Sequence, residues 1–253
     1  MNGTVLGWPE VATSVLLVAV AVAVAAWQRL GLNRDIVLAA VRAFVQLIAV
    51  GAVLVVIFEH GGVPGALGWV ALMVVIAGQV AGRRGRGVPA ARLVATVSVG
   101  VGSGLALVTL LALDVFPSRP SVIVPIGGMI VANSMQAVGL VLLRLVEHVG
   151  ESRRSIEARL LLGMPAVDAF APHRRSAARA ALLPAIDATK VVGLISLPGA
   201  MTGMILAEVD PLTAIRYQIV VMYMILGAAA LAAAVAVPLA QRRLFDDAQR
   251  LCV

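Results

Sequence analysis

Apolar residues gather along this chain into seven long, nearly uninterrupted runs: Pro9 to Gln28, Ile36 to Phe58, Gly65 to Ala81, Ala91 to Leu113, Val122 to Leu143, Pro184 to Ala207 and Thr213 to Leu239. None alternates with the period of two that a barrel strand shows. A run of ~20 apolar residues suits a helix crossing ~30 Å of hydrocarbon, where every backbone donor must be paired inside its own segment. The pattern predicts an all-α, polytopic membrane helical bundle of about seven transmembrane helices, organised as one domain over residues 1–253. The third run is short and glycine-flanked, so a re-entrant or tilted segment is its alternative. Between runs five and six lies one polar, arginine-rich insert, Arg144 to Leu183.

Composition agrees with the pattern. Hydrophobic residues make up 61% of the chain, charged residues 13%, and the mean hydropathy is +1.01. Soluble domains hold roughly 45–50% apolar residues. Lysine and arginine collect on the cytoplasmic side of short loops, so charge gives an orientation. Sixteen arginines fall on one side, in the loops around Arg29, Arg84, Arg154, Arg175 and Arg243, against only Arg119 and Arg216 on the other. This predicts an outer N-terminus and a cytoplasmic C-terminus for a multi-pass protein of the cell (inner) membrane. No basic residue precedes the first run, which therefore lacks the positive flank of a cleaved secretory signal and is expected to be retained. The sequence pI near 11.1 follows from these scattered loops. They carry no interleaved aromatics for base stacking, so nucleic acid is not an expected partner.

Several chemistries are excluded by residue type. The single lysine, Lys190, follows a threonine rather than a glycine, so no Walker A loop exists to hold ATP phosphates, and any Mg-ATP must sit on a partner chain. The single cysteine, Cys252, excludes disulfides and cysteine metal clusters within one chain. His60, His148 and His173 have no zinc-binding spacing. No catalytic residues emerge, and an enzyme is not expected.

The insert holds Ile156, Leu160 and Leu161 at amphipathic spacing, ending near Gly163 and Pro165, then a mixed segment broken at Pro172. It is expected to be a helix, a turn and a second helix, with the first lying across the membrane surface. Such a helix can rest on anionic lipid or present its end to a partner's groove. Glu157, Ala158, Leu161 and Gly163 stand in a pattern that resembles the Glu-Ala-Ala-x3-Gly coupling motif of ABC importer permeases. Arg159 occupies the position where that motif has a small residue.

Runs five and six carry proline and glycine inside apolar sequence, at Pro125-Ile126-Gly127-Gly128 and at Pro198-Gly199 with Gly203. Freed carbonyls cannot be satisfied by lipid, so both runs are expected to be interrupted helices beside a cavity or a packed interface. Asn133, Ser134, Gln136, Ser196, Met201, Thr202 and Met204 are the candidate pathway residues. Met129, Met135, Met201 and Met204 offer soft thioethers for transient contact with a metal ion, although core packing is the commoner use of methionine. The polar members can equally hydrogen-bond between helices. Intramembrane charges are few: Arg42, Asp187 and Lys190. Asp187 and Lys190, three apart, are expected to pair, with Arg42 competing for the same carboxylate.

The segments Ala40 to Leu47 with Gly51, Pro125 to Ser134, Glu157 to Gly163, Gly193 to Gly203 and Asp210 to Gln218 together resemble the FetB-type family, the permeases of iron-export ABC transporters. The likeness runs from about Leu32 to Phe245, and Ser-Leu-Pro-Gly-x-Met-Thr-Gly is its most specific block. Plant relatives are associated with aluminium tolerance. The resemblance implies a permease working with a cytoplasmic ABC ATPase subunit, as a homodimer with two ATPases, and exporting iron or another metal ion. An ATPase-independent channel or ion-coupled transporter, and a membrane scaffold that docks a cytoplasmic partner, remain the alternatives.

Overall fold

A computed structural model describes residues 7–195, 197–246 and 248–252 of the chain. Nine α-helices account for the described fold: α1 (Trp8–Trp27), α2 (Asn33–Val56), α3 (Gly62–Arg84), α4 (Ala91–Ala112), α5 (Pro120–Leu161), α6 (Ala166–Ala169), α7 (Ala171–Val191), α8 (Gly199–Leu206) and α9 (Pro211–Leu244). A π-helical turn, Ile57–Gly61, lies between α2 and α3. Four helical stretches, Asn33–Arg84, Ala91–Ala112, Pro120–Leu161 and Pro211–Leu244, are long and apolar enough to cross a bilayer. Each of the seven apolar runs coincides with helix, but the sixth is divided between α7 and α8.

The chain forms two compact units, Met1–His60 and Gly61–Val253. In the first, α1 packs along α2 through an apolar seam that includes Val15, Val22, Val37 and Phe44. In the second, α3, α4, α5 and α9 form the core, α7 lies against α5 and α9, and α8 lies against α9.

Small residues set the distances in that core. A β-carbon on Gly78 would stand 2.5 Å from Thr96 Cα, and one on Gly82 2.5 Å from Arg92 Cα, so α3 and α4 approach nearly backbone to backbone. A β-carbon on Gly102 would stand 2.6 Å from Ala232 Cβ, joining α4 to α9 in the same way, and one on Gly127 would meet Val70 Cγ2 at 2.6 Å between α5 and α3. The matching face of α9 is an alanine seam, Ala228, Ala232, Ala236 and Ala240 at i+4 steps with Ala229 and Ala233 beside it, all buried. Lipid tails are as apolar as leucine, so within a bilayer this close van der Waals fit holds helices together where hydrophobic burial cannot.

Two expectations about helix breaks are corrected. Run five is not interrupted: α5 passes through Pro125 and the glycines that follow. Pro125 sits in the second turn, where it costs one backbone bond, and Gly127 is there to admit Val70 rather than to break the helix. Nor does the polar insert begin with a separate surface helix, because α5 continues without a break to Leu161 and the 156–162 segment is its last two turns. Likewise α7 begins at Ala171 with Pro172 in its first turn, where a missing N–H is harmless, and runs on through Pro184.

Substituting Gly102 or Gly82 with alanine is expected to destabilise the bundle by about 1–3 kcal/mol, since backbone cannot move aside. Gly104→Ala, with open space around it, is expected to be neutral or stabilising by up to ~1 kcal/mol. Thermal unfolding of the detergent-solubilised protein distinguishes the two; equal effects at Gly102 and Gly104 would refute the packing argument.

Candidate functional site

The far end of α5 closes with a glycine turn. Gly163 N–H donates to Leu160 O at 2.9 Å and Met164 N–H to Arg159 O at 3.1 Å, with Gly163 at φ +84°. This paired arrangement is the Schellman stop, and the left-handed residue it requires is why glycine stands at 163. Arg153 Nε donates to Glu157 Oε1 at 2.9 Å along the helix. Arg159, the departure from the coupling pattern, reaches over the turn to donate to Ala169 O at 3.2 Å. It therefore ties the short α6 back onto α5.

A second strap comes from the C-terminal tail, which sequence reasoning did not assign to this site. Phe245 and Leu251 form an isolated bridge that folds the tail back, and the Gln249 side chain accepts from Ala166 N–H at 2.8 Å, supplying an acceptor at the start of α6. The fully buried Phe170 packs edge-on against Phe245 at 5.6 Å. Arg174 donates to the buried Gln241 at 3.2 Å. Between the α5 turn and this tail opens a groove of 790 Å³, lined by Glu157, Leu160, Leu161 and Gly163 on one side and by Gln249, Arg250 and Leu251 on the other. Leu161 and Leu162 beside it are 89% and 83% exposed, and Ala158 is exposed too. A helix-to-loop search on sequence could not find the tail, because nothing local pairs Gln249 with Ala166, 83 positions away.

Two further cavities open where α7 stops. One, of 320 Å³, is lined by Asn133, Gln136 and Leu140 of α5, by Pro184 and Ala188 of α7, by Val192 and Pro198 beyond it, and by Met222 of α9. The other, of 380 Å³, is lined by Thr189, Val192, Met201, Gln218, Met222 and Tyr223 among others. Val192 and Met222 belong to both. Asn133, which lines the first cavity, donates from its side-chain amide to Met129 O at 2.9 Å. Gln218 is 5% exposed and its Oε1 has no partner. A buried unsatisfied amide costs roughly 1–3 kcal/mol and marks a place where a polar ligand or water would be welcome.

The predicted pathway residues are thus only partly assembled. Asn133, Gln136 and Met201 line the cavities, whereas Ser134 is fully buried in helix packing with its Oγ unpartnered. Thr202 is turned to its own helix, donating toward Pro198 O at 3.2 Å. Met129, Met135 and Met204 line neither cavity, so the four thioethers are not gathered into one group; Met222 is the methionine that joins Met201. Ser196 lies outside the described residues. Among the described residues no group of three His, Cys, Asp or Glu side chains is placed to hold a metal. The expected pair forms, with Lys190 Nζ donating to Asp187 Oδ1 at 3.2 Å while both remain exposed. Arg42 belongs to the first unit, on an exposed face of α2.

Where α7 begins beside the hairpin that α5 and α7 form through α6, the rings of His148 and His173 lie 5.5 Å apart, and His173 also stacks near Phe170. Burial, followed by the nearby His148 and Arg159, holds His173 below its ordinary imidazole value.

A helical bundle with four stretches long and apolar enough to cross a bilayer defines an all-α membrane protein. The chain belongs to the uncharacterised protein family UPF0014, whose family model matches residues 8–245. It is 35% identical over 253 residues to the probable iron export permease protein FetB of Escherichia coli, covering 100% of this chain and 98% of that one. It is 44% identical over 220 residues to the UPF0014 membrane protein STAR2 of Oryza sativa, covering 87% of this chain and 76% of the relative. To the protein ALUMINUM SENSITIVE 3 of Arabidopsis thaliana it is 36% identical over 249 residues, with 97% and 90% covered. No solved structure matches the chain.

Gly163→Ala is expected to strain the turn by roughly 1–2 kcal/mol, the cost of left-handed backbone for an L residue. Faster proteolytic nicking between Leu161 and Ala166 would show it, and an unchanged nicking rate would count against the glycine stop. His173 predicts a pH effect. Its folded value is depressed below the 6.5 of the unfolded chain, so its stabilising contribution is intact above that value and is lost as pH falls through the lower, folded one. Melting should therefore drop from pH 7.5 to pH 5.5, and less steeply in His173→Gln; identical slopes would remove His173 as the cause.

Proposed function

We propose that this chain is the permease subunit of an ABC-type transporter that exports iron or another metal ion, with ATP hydrolysed on a separate cytoplasmic ATPase. Two permeases and two ATPases make the working assembly. The N-terminus lies outside the inner membrane, and the groove between the α5 turn and the C-terminal tail lies in the cytoplasm. The chain itself hydrolyses nothing and needs no resident cofactor. The iron assignment is supported by the name of the full-length bacterial relative.

The observation that carries this reading is that one unbroken helix reaches from the cavities to the groove. Asn133 and Leu161 are about 28 residues apart on α5, or ~42 Å at 1.5 Å per residue. A push at Leu161 and Leu162 therefore moves a stiff rod whose other part walls the cavity at Asn133 and Gln136. The wall opposite is the soft one, where α7 has stopped at Val192. An ATPase that grips the groove can change the gap between a rigid wall and an interrupted one, which is the geometry alternating access requires. An ATPase-independent transporter would leave the exposed Leu161 and Leu162 without a use.

Leu161→Asp places a charge in the groove and is expected to lower association with the cognate ATPase ten- to a hundredfold, the loss of one buried leucine contact of about 1.5–3 kcal/mol. Co-purification from membranes measures it. Asn133→Leu should leave that association intact while abolishing metal efflux, read as raised cellular iron under iron load. Retained ATPase association in Leu161→Asp would move the dock elsewhere, and normal efflux in Asn133→Leu would take the pathway away from α5.

A further inference from the structure

The turn between α3 and α4 carries charge that nothing in the chain answers. Arg83, Arg84, Arg86 and Arg92 fall within ten residues, and from Gly61 to Leu113 the sequence contains no aspartate or glutamate. The five ion pairs among the described residues engage His60, Arg144, Arg153, Lys190 and Arg250, and none takes an arginine of this turn. Nor does the first unit hold anions in surplus, because Glu10, Asp35 and Glu59 are balanced there by Arg29, Arg34 and Arg42. The unmatched charge therefore persists wherever that unit lies.

Two of the four arginines are seated rather than free to sweep through water. Gly139 of α5 makes room for the Arg84 side chain, since a β-carbon there would stand 3.0 Å from Cδ and 3.3 Å from Nη1. Gly82 does the same for Arg92, at 2.5 Å from Cα and 3.0 Å from Cγ. The turn beneath them is fixed as well. A β-carbon on Gly85 would be 2.7 Å from Leu142 Cβ of α5, Val88 is buried, and Val88 N–H donates to Gly85 O at 2.8 Å. An ordinary solvated charge run loses rotamer freedom when it binds; here much of that ordering is already done.

Depth identifies the ligand. The apolar run of α3 ends at Ala81 and that of α4 begins at Ala91, so the four side chains leave hydrocarbon at the level of lipid headgroups, to which arginine snorkels. A planar guanidinium fork matches a phosphate bidentately. We propose that the α3–α4 turn, through Arg84 and Arg92 with Arg83 and Arg86 beside them, binds the phosphodiester headgroup of an anionic phospholipid. A free phosphate has the same charge but nothing to hold it at that depth, whereas the acyl chains of a lipid bring its phosphate there. Because Arg84 rests on Gly139, about one turn beyond Gln136 of the cavity wall, an occupied turn also steadies α5 at that level. The site depends neither on an ATPase nor on what is transported.

Native mass spectrometry of the detergent-purified full chain, titrated with phosphatidylglycerol or with zwitterionic phosphatidylcholine, tests it. Phosphatidylglycerol is expected to bind about fivefold or more tightly than phosphatidylcholine, and Arg84→Gln with Arg92→Gln to weaken it roughly tenfold to thirtyfold, the loss that two interfacial arginines imply. Arg83→Gln with Arg86→Gln, which leaves the glycine contacts untouched, should weaken it in the same direction and guards against a misfolded first variant. Arg242→Gln with Arg243→Gln, at the end of α9, should leave it within about twofold, because the attraction is local. Equal loss in the α9 variant reduces the effect to net charge and overturns the site, as does equal binding of the two lipids. Displacement of phosphatidylglycerol by inorganic phosphate at equal concentration would make the ligand a free anion and overturns it too. Loss of ATPase association in the turn variants with unchanged lipid binding would assign the arginines to a protein instead, and the proposal fails.

Discussion

Every feature of the second unit hangs on how closely α3, α4, α5 and α9 approach one another. At Gly102 and Ala232, and again at Gly82 and Arg92, two backbones come as near as atoms allow. In water such a bundle would be stabilised by removing apolar surface from solvent. Between helices already in lipid that term nearly vanishes, so dispersion at short range must replace it, and dispersion falls away within an ångström of separation. The alanine seam of α9 and the glycines facing it are the means. The same closeness accompanies the passage of α5 through Pro125, where the helix's own hydrogen bonding is one short and Val70 seats against Gly127.

What the core leaves outside is as informative. Helix α7 buries only Ala177 and Ala181, and α8 buries nothing. The elements that line the cavities with α5 are thus those least held by the core. At the opposite end of α7, by contrast, Arg174 bonds to Gln241 of α9, Phe170 packs on Phe245 of the tail, and Arg159 of α5 holds Ala169 of the adjoining α6. The hairpin is clamped where a partner would grip it and loose where a substrate would pass.

The sequence was legible where one property dominates. Apolar runs located every long helix, and the Gly163 stop was readable because left-handed backbone after a helix has few alternatives to glycine. It misled where one residue type serves two ends. Proline and glycine in runs five and six look alike on paper, yet at Gly127 the small residue admits a neighbour's side chain, whereas at Gly193 it turns the chain out of the helix. Only the facing helix decides between these uses. The methionines failed for the same reason: spacing placed four of them in the two proline-bearing runs, but Met201 lines a cavity and Met129, Met135 and Met204 line neither. Gln249 and Gln218 were invisible because their significance is a partner gained or missing in space.

The departure at Arg159 resolves into a consequence of length. A small residue at that position suits a short surface helix that must lie close to a partner on all sides. Here the segment is instead the end of a 42-residue helix, anchored by the buried Ile156, and such an end keeps its shape only if its turn does not yield. The Arg159 guanidinium on Ala169 O and the Gln249 side chain on Ala166 N–H brace that turn from both sides. Arginine there stiffens the turn, as the transmission of displacement from Leu161 to Asn133 proposed above would require.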